Sequence, residues 1–100
     1  MEIRVGPVDE IPEGGVKIVQ SGSLFVGVYR IDGELYAIED RCSHDDGPLC
    51  EGERYGFEIE CPRHGSHFDL RTGAVLSLPA TEDVEVFSVV VRDGEAYVQA

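Results

Sequence analysis

Two short segments, Cys42-Ser43-His44 and Cys61-Pro62-Arg63-His64-Gly65, constrain this chain more than anything else in it. They read C-x-H, sixteen intervening residues, then C-x-x-H. Each offers one thiolate and one imidazole, and each histidine is followed by glycine within three positions, at Gly47 and Gly65. A fold that brings the segments together presents two sulfur and two nitrogen donors to one centre. Two metal chemistries take such a set. One is a tetrahedral zinc ion; the other is a [2Fe–2S] cluster with two cysteines on one iron and two histidines on the other. Zinc fingers usually pair cysteine with cysteine and histidine with histidine. Here each segment mixes them, which favours the cluster.

The mixed ligand set has a redox consequence. Two ferric ions, two bridging sulfides and two thiolates sum to zero charge when both histidines are neutral. An all-cysteine site carries two further negative charges in the same oxidation state. An electron enters a neutral centre more easily, so histidine ligation raises the potential.

Around the two segments the chain reads as short strands and tight turns, with no convincing helix. Glu2–Gly6 is expected as a first strand, followed by a loop over Asp9–Gly15. Val16–Gln20 and Ser23–Arg30 are β-rich runs. Asp32-Gly33 is a two-residue hairpin signal leading into Glu34–Glu39, because Asp-Gly supplies the positive φ of a type I′ turn. Phe57 and Ile59 alternate with Glu58 and Glu60, the period of a half-exposed strand running into Cys61. A short strand and turn follow, in Phe68-Asp69-Leu70 and Arg71-Thr72-Gly73. Asp83–Val91 and Ala96–Gln99 make a closing hairpin around Asp93-Gly94. In Ser23–Arg30 both parities are apolar, so that strand is expected to be covered on both faces. The fold class expected is all-β, in layered antiparallel sheets. Both ligand segments fall in a loop-rich middle, about 40–73.

With 100 residues, the length argues for one domain. No apolar run approaches the roughly 18 residues of a membrane span, and Met1-Glu2-Ile3-Arg4 does not begin like a secretory signal. A cytoplasmic protein is expected. Twenty acidic against eight basic residues give a net charge of −12, which repels phosphate backbones and disfavours nucleic acid. Acidity by itself keeps a small protein soluble. Eight of the acids, however, lie between Glu39 and Glu60, around the first ligand segment, and favour a partner with a basic docking face. Of three cysteines, Cys50 is left over in the apolar step Pro48-Leu49-Cys50. No basic residue adjoins it, and it reads as a buried filler rather than a reactive thiol.

The ligand pattern, with the run Cys61-Pro62-Arg63-His64-Gly65-Ser66, resembles the Rieske iron–sulfur proteins over essentially the whole length. The resemblance implies one [2Fe–2S] cluster per chain, with Cys42 and Cys61 on one iron and His44 and His64 on the other. It also implies a small cluster-binding subdomain set in a β base, and a covering loop about 77–80 at Leu78-Pro79-Ala80. Ser66 matches a serine that bonds a bridging sulfide. The extra disulfide of the high-potential respiratory branch is missing, since Gly47 and Arg63 stand where its cysteines would be. Phe68 replaces a tyrosine that donates towards a ligand cysteine. Fewer donors to sulfur place the expected potential near the low end of the Rieske range, about −150 to +300 mV.

A filled cluster leaves no open position for a small-molecule substrate, and His67 alone among the histidines is unassigned. The mononuclear iron site of catalytic Rieske oxygenases, with two histidines and a carboxylate, is therefore not available here. The resemblance implies a one-electron carrier, not an enzyme, like the soluble ferredoxin components of bacterial aromatic-ring dioxygenase systems. Such components pass electrons from a flavin-dependent ferredoxin reductase to a terminal oxygenase. The alternatives are an accessory ferredoxin of iron–sulfur assembly, a small subunit of a nitrite reductase-like complex, and a zinc-stabilised interaction module.

Overall fold

The computed structural model describes residues 1–44 and 46–100. Among these residues nine strands run in chain order: β1 Glu2–Pro7, β2 Val16–Ser21, β3 Leu24–Ile31, β4 Glu34–Glu39, β5 Arg54–Tyr55, β6 Glu58–Glu60, β7 His67–Asp69, β8 Val86–Arg92 and β9 Glu95–Gln99. The one helical element among the described residues is a 3₁₀ turn at Val8–Glu10, which overlaps the start of the segment expected as loop. Six strands form an antiparallel sheet in the order β1-β9-β8-β4-β3-β2, and β5-β6-β7 form a second, smaller sheet. The two outer strands of the large sheet, β1 and β2, lie against each other, so the sheet is curled almost into a barrel.

Local chemistry sets the hairpins. Asp32 and Gly33 sit at φ 52° and 80°, and Asp93 and Gly94 at 52° and 78°, as type I′ turns require. The Glu13 carboxylate accepts from the Asp32 and Gly33 N–H groups, tying the first of these turns to the preceding loop. β8 begins at Val86, three residues later than the β-rich run suggests. The reason lies in where residues 83–85 spend their hydrogen bonds. The Asp83 carboxylate accepts from the Val75 N–H at 2.9 Å, and the Val84 N–H donates to the Gly73 carbonyl at 2.9 Å.

Strand β3 is shared between two cores. Val26 and Val28 face the inside of the curled sheet with Ile3, Val5, Ala37 and Val98. Tyr29 and Ile31, on the other parity, join Ile38 in a second core with Cys42, Leu49, Ile59, Cys61, Phe68 and Leu70. The expectation that this strand is covered on both faces holds. Across the second core the small sheet packs on the large one, with the Tyr36 and Phe57 rings edge-on at 5.4 Å and Arg71 over Phe57 at 4.4 Å. Phe68 is fully buried there, a burial that contributes about 1.5–3 kcal/mol. The second core therefore fastens both ligand segments to the frame.

Candidate metal centre

Each ligand segment is a tight loop closed by a pair of backbone hydrogen bonds. In the first, the Cys42 N–H donates to the Gly47 carbonyl at 2.8 Å, and the Asp46 N–H donates to the Cys42 carbonyl at 2.8 Å. In the second, the Cys61 N–H donates to the Ser66 carbonyl at 2.7 Å, and the Gly65 N–H donates to the Cys61 carbonyl at 3.0 Å. The fourth residue after each cysteine takes a left-handed conformation, with φ 62° at Asp46 and 79° at Gly65. Glycine meets that demand without strain, and aspartate is among the few other residues that tolerate it.

The four candidate ligands divide by burial. Cys42 and Cys61 are 0 % and 1 % exposed, inside the same apolar core, whereas His44 and His64 are exposed. The two imidazoles nevertheless meet, with ring centroids 4.8 Å apart and planes at 88°. Thiols thus point inward and imidazoles outward at one place on the molecule. Among the described residues, no three His, Cys, Asp or Glu side chains converge on a single metal-ion position.

A third segment is tied to both loops. The Ala80 N–H donates to the Ser66 hydroxyl at 2.9 Å, and the Ser43 hydroxyl donates to the Glu82 carbonyl at 2.5 Å. Further along, the His67 N–H donates to the Ser77 hydroxyl and the Leu76 N–H to the His67 carbonyl. Ala80 is buried, while Leu78 and Leu76 stand 76 % and 49 % exposed, so this segment, which includes the Leu78-Pro79-Ala80 run, turns apolar side chains outward. Ser66 is itself fully buried. Its oxygen accepts from Ala80, which leaves the hydroxyl proton to donate elsewhere. A buried O–H with a proton to give, in the loop that carries Cys61, suits a group with anionic sulfur.

Some supporting residues carried no signal in the sequence. Asp40 accepts from the Leu49 and Cys50 N–H groups at 2.8 and 2.7 Å and so clamps the base of the first loop. Aspartate has a general tendency to bind nearby backbone N–H groups, but nothing in the residue order says which ones. Arg41 pairs with Asp46 at 2.5 Å and Glu39 at 3.3 Å, and these carboxylates, Asp46 foremost, raise the guanidinium's affinity for its proton. Asp45, one of the eight acids counted around this loop, lies outside the described residues. His67 stands apart from the ligands: its ring nitrogens face Glu58 at 3.0 Å and Glu60 at 3.3 Å, and Tyr55 stacks on it. The Cys50 thiol is buried, and desolvation pushes its pKa up, reinforced by the Asp40 carboxylate.

The chain belongs to the Rieske [2Fe–2S] domain family, whose model matches residues 1–88. It is 39 % identical over 98 residues to the 3-phenylpropionate/cinnamic acid dioxygenase ferredoxin subunit of Photorhabdus laumondii subsp. laumondii, covering 97 % of this chain and 92 % of that one. Over 86 residues it is 36 % identical to the ferredoxin component of the naphthalene 1,2-dioxygenase/salicylate 5-hydroxylase systems of Ralstonia sp., covering 86 % and 83 %. Among solved structures, the ferredoxin of carbazole 1,9a-dioxygenase from Nocardioides aromaticivorans IC177 superimposes with a TM-score of 0.91 at 35 % identity, covering 98 % of this chain and 96 % of that one. A chain in the complex of reduced oxygenase and oxidized ferredoxin in carbazole 1,9a-dioxygenase matches with a TM-score of 0.91 at 38 % identity, covering 97 % and 91 %. The fold is the Rieske fold, with one [2Fe–2S] cluster per chain, and the protein is an electron carrier of the ferredoxin kind rather than a catalyst. No helix among the described residues is long and apolar enough to cross a membrane.

Proposed function

We propose that Cys42 and Cys61 hold one iron of the cluster and His44 and His64 the other, and that the chain carries single electrons from a flavin-dependent reductase to a terminal oxygenase in the cytoplasm. The observation that carries this reading is the opposite exposure of the two ligand types, with cysteines fully buried and imidazoles exposed side by side. When bound, the cluster accepts and releases one electron. The chain's residues do the rest. The apolar core around Cys42 and Cys61 keeps water from the sulfur side, and Ser66 has a hydroxyl proton to offer there. His44 and His64 bring the centre to the surface, where a partner can come within electron-transfer distance.

Residues 1–100 work as one unit, with a cluster-binding part at about 40–73, a covering loop at about 77–80 and a β base from the flanks. The partner assignment is supported by the relatives: ferredoxin subunits of dioxygenase systems, and a ferredoxin in complex with its oxygenase. A net charge of −12 fits steering towards basic partner faces. The test is the EPR spectrum of the anaerobically purified protein before and after dithionite. A rhombic signal that appears on reduction, with average g below that of all-cysteine clusters, is expected. A colourless, zinc-containing and EPR-silent protein overturns the assignment.

A further inference from the structure

A groove of about 430 Å³ runs beside the first ligand loop, lined by Ile18, Phe25, Asp40, Asp46, Pro48 and Glu51. Its floor is apolar, with Ile18 and Phe25 each 43 % exposed. A second depression of about 230 Å³ shares Phe25, Asp40 and Asp46 and extends to Glu39 and Arg41. Together the two are walled by four carboxylates (Glu39, Asp40, Asp46, Glu51) and one guanidinium (Arg41), which leaves three negative charges unbalanced. Arg41 is already engaged by Glu39 and Asp46 and does not turn the groove towards anions.

The chemistry of the walls selects the occupant. Nucleic acid and anionic lipid are repelled, and a second copy presenting the same face meets like charge. A metal ion lacks three convergent ligands among the described residues. A lysine or arginine has the two properties required: its aliphatic stem covers Ile18 and Phe25 while its charge reaches the Asp46 and Glu51 rim. Asp46 belongs to the same tight loop as His44, so a cation seated there holds its owner beside the exposed imidazoles.

We propose that this acidic-rimmed apolar groove is an anchor for a basic, apolar-stemmed protrusion of the redox partner. The proposal rests on the electron-carrier reading above and adds to it a specific seat beside the ligand loop.

The experiment is stopped-flow reduction of cytochrome c, a lysine-rich redox protein, by the dithionite-reduced holoprotein at low ionic strength. Three variants are compared with the wild type: Glu51→Lys, Phe25→Ser, and Glu34→Lys as a charge control. Glu34 pairs with Ile31 at one end of the β3–β4 ladder, whereas Phe25 lies beyond the Val26–Glu39 pair at the other. Glu51→Lys is expected to lower the second-order rate constant about fivefold, and Phe25→Ser about threefold with no change of charge. Glu34→Lys should lower it by less than about twofold. The EPR spectrum and midpoint potential should be those of the wild type in all three. A wild-type rate for Phe25→Ser, or a Glu51→Lys rate no slower than that of Glu34→Lys, overturns the anchor. A wild type with no reducible EPR signal instead overturns the electron-carrier reading, and the two failures are told apart by that spectrum.

Discussion

In the loop from Cys42 to Gly47 the cysteine N–H donates to the carbonyl five residues on, and the residue four positions on donates back to the cysteine carbonyl. The loop from Cys61 to Ser66 repeats both bonds, with the same left-handed fourth residue. What hangs on this common frame differs at almost every position. Histidine is the second residue after cysteine in one loop and the third in the other. The left-handed position is Asp46 in one and Gly65 in the other, and the closing position is a glycine in one and the buried Ser66 in the other. The first loop is fastened from outside, by Asp40 and by Ser43. The second is fastened from inside, through Ser66. One backbone solution therefore serves both loops, and their side chains differ in how they fasten it: Asp40 and Ser43 on the first, the buried Ser66 on the second.

The sharpest way to break this equivalence is to exchange the donors. Replacing either histidine, His44→Cys or His64→Cys, adds a negative charge to the centre. Where a cluster assembles, its midpoint potential should fall, on the order of 100 mV, given the gap between Rieske and all-cysteine ferredoxin clusters. If the two frames are equivalent at the metal, the shifts measured by redox titration will be alike. An unchanged potential with a retained cluster would count against that histidine as a ligand.

Next in size is Ser66→Ala, which has no counterpart in the first loop. It leaves the buried Ala80 N–H without its acceptor, at a cost of about 1–3 kcal/mol. It also removes a donor proton from the sulfur side, so the potential should drop as well. Urea titration followed by cluster absorbance reads the first effect, and a redox titration the second. A loss of stability with an unmoved potential would restrict Ser66 to holding the third segment in place.

The left-handed positions give a smaller, paired test. A Cβ added at Gly65 meets nothing closer than a Glu60 carboxylate oxygen at 3.8 Å, so space is not the obstacle; the φ of 79° is. Gly65→Ala should cost about 1–2 kcal/mol. The reciprocal change, Asp46→Gly, relieves the same conformation but loses the exposed pair with Arg41, and should stay within about 0.5 kcal/mol of the wild type. Equal losses for both would show that Asp46 is held by its contacts rather than tolerated in its conformation.

The frame was legible where local chemistry decides it. Asp32-Gly33 and Asp93-Gly94 placed two hairpins, Glu34–Glu39 matched a strand residue for residue, and the two-sided apolar pattern of β3 announced a strand shared between two cores. Donor type and spacing, written along the chain, single out the four candidate ligands, and the structure brings the imidazoles together and places both cysteines in one core. The fastenings were not legible. Ser43 to Glu82 and Ser66 to Ala80 join residues 39 and 14 apart in the chain, and nothing in a serine's neighbours names its partner. β8 starts later than the β-rich run for the same reason. Asp83 and Val84 have the composition of a strand entry, but they spend their hydrogen bonds on Val75 and Gly73.

The smallest effect is expected at the third cysteine, which separates a ligand from a filler by position alone. Cys50 follows the first loop, and its thiol packs so close to the β3 backbone that a Cβ at Gly27 would meet the sulfur at 2.4 Å. The buried Tyr29 hydroxyl and the Asp40 carboxylate are its polar neighbours. Burial, helped by Asp40, pushes the thiol pKa up, so at pH 8 it stays protonated and lacks the thiolate that alkylation needs. Iodoacetamide should therefore leave Cys50 unmodified in the folded holoprotein. Cys50→Ala should keep the EPR spectrum and the potential and cost about 1 kcal/mol of stability. If that variant lost the cluster, the division of the three cysteines into two ligands and one filler would be wrong. Cys42 and Cys61 could then no longer be regarded as equivalent members of two matching loops.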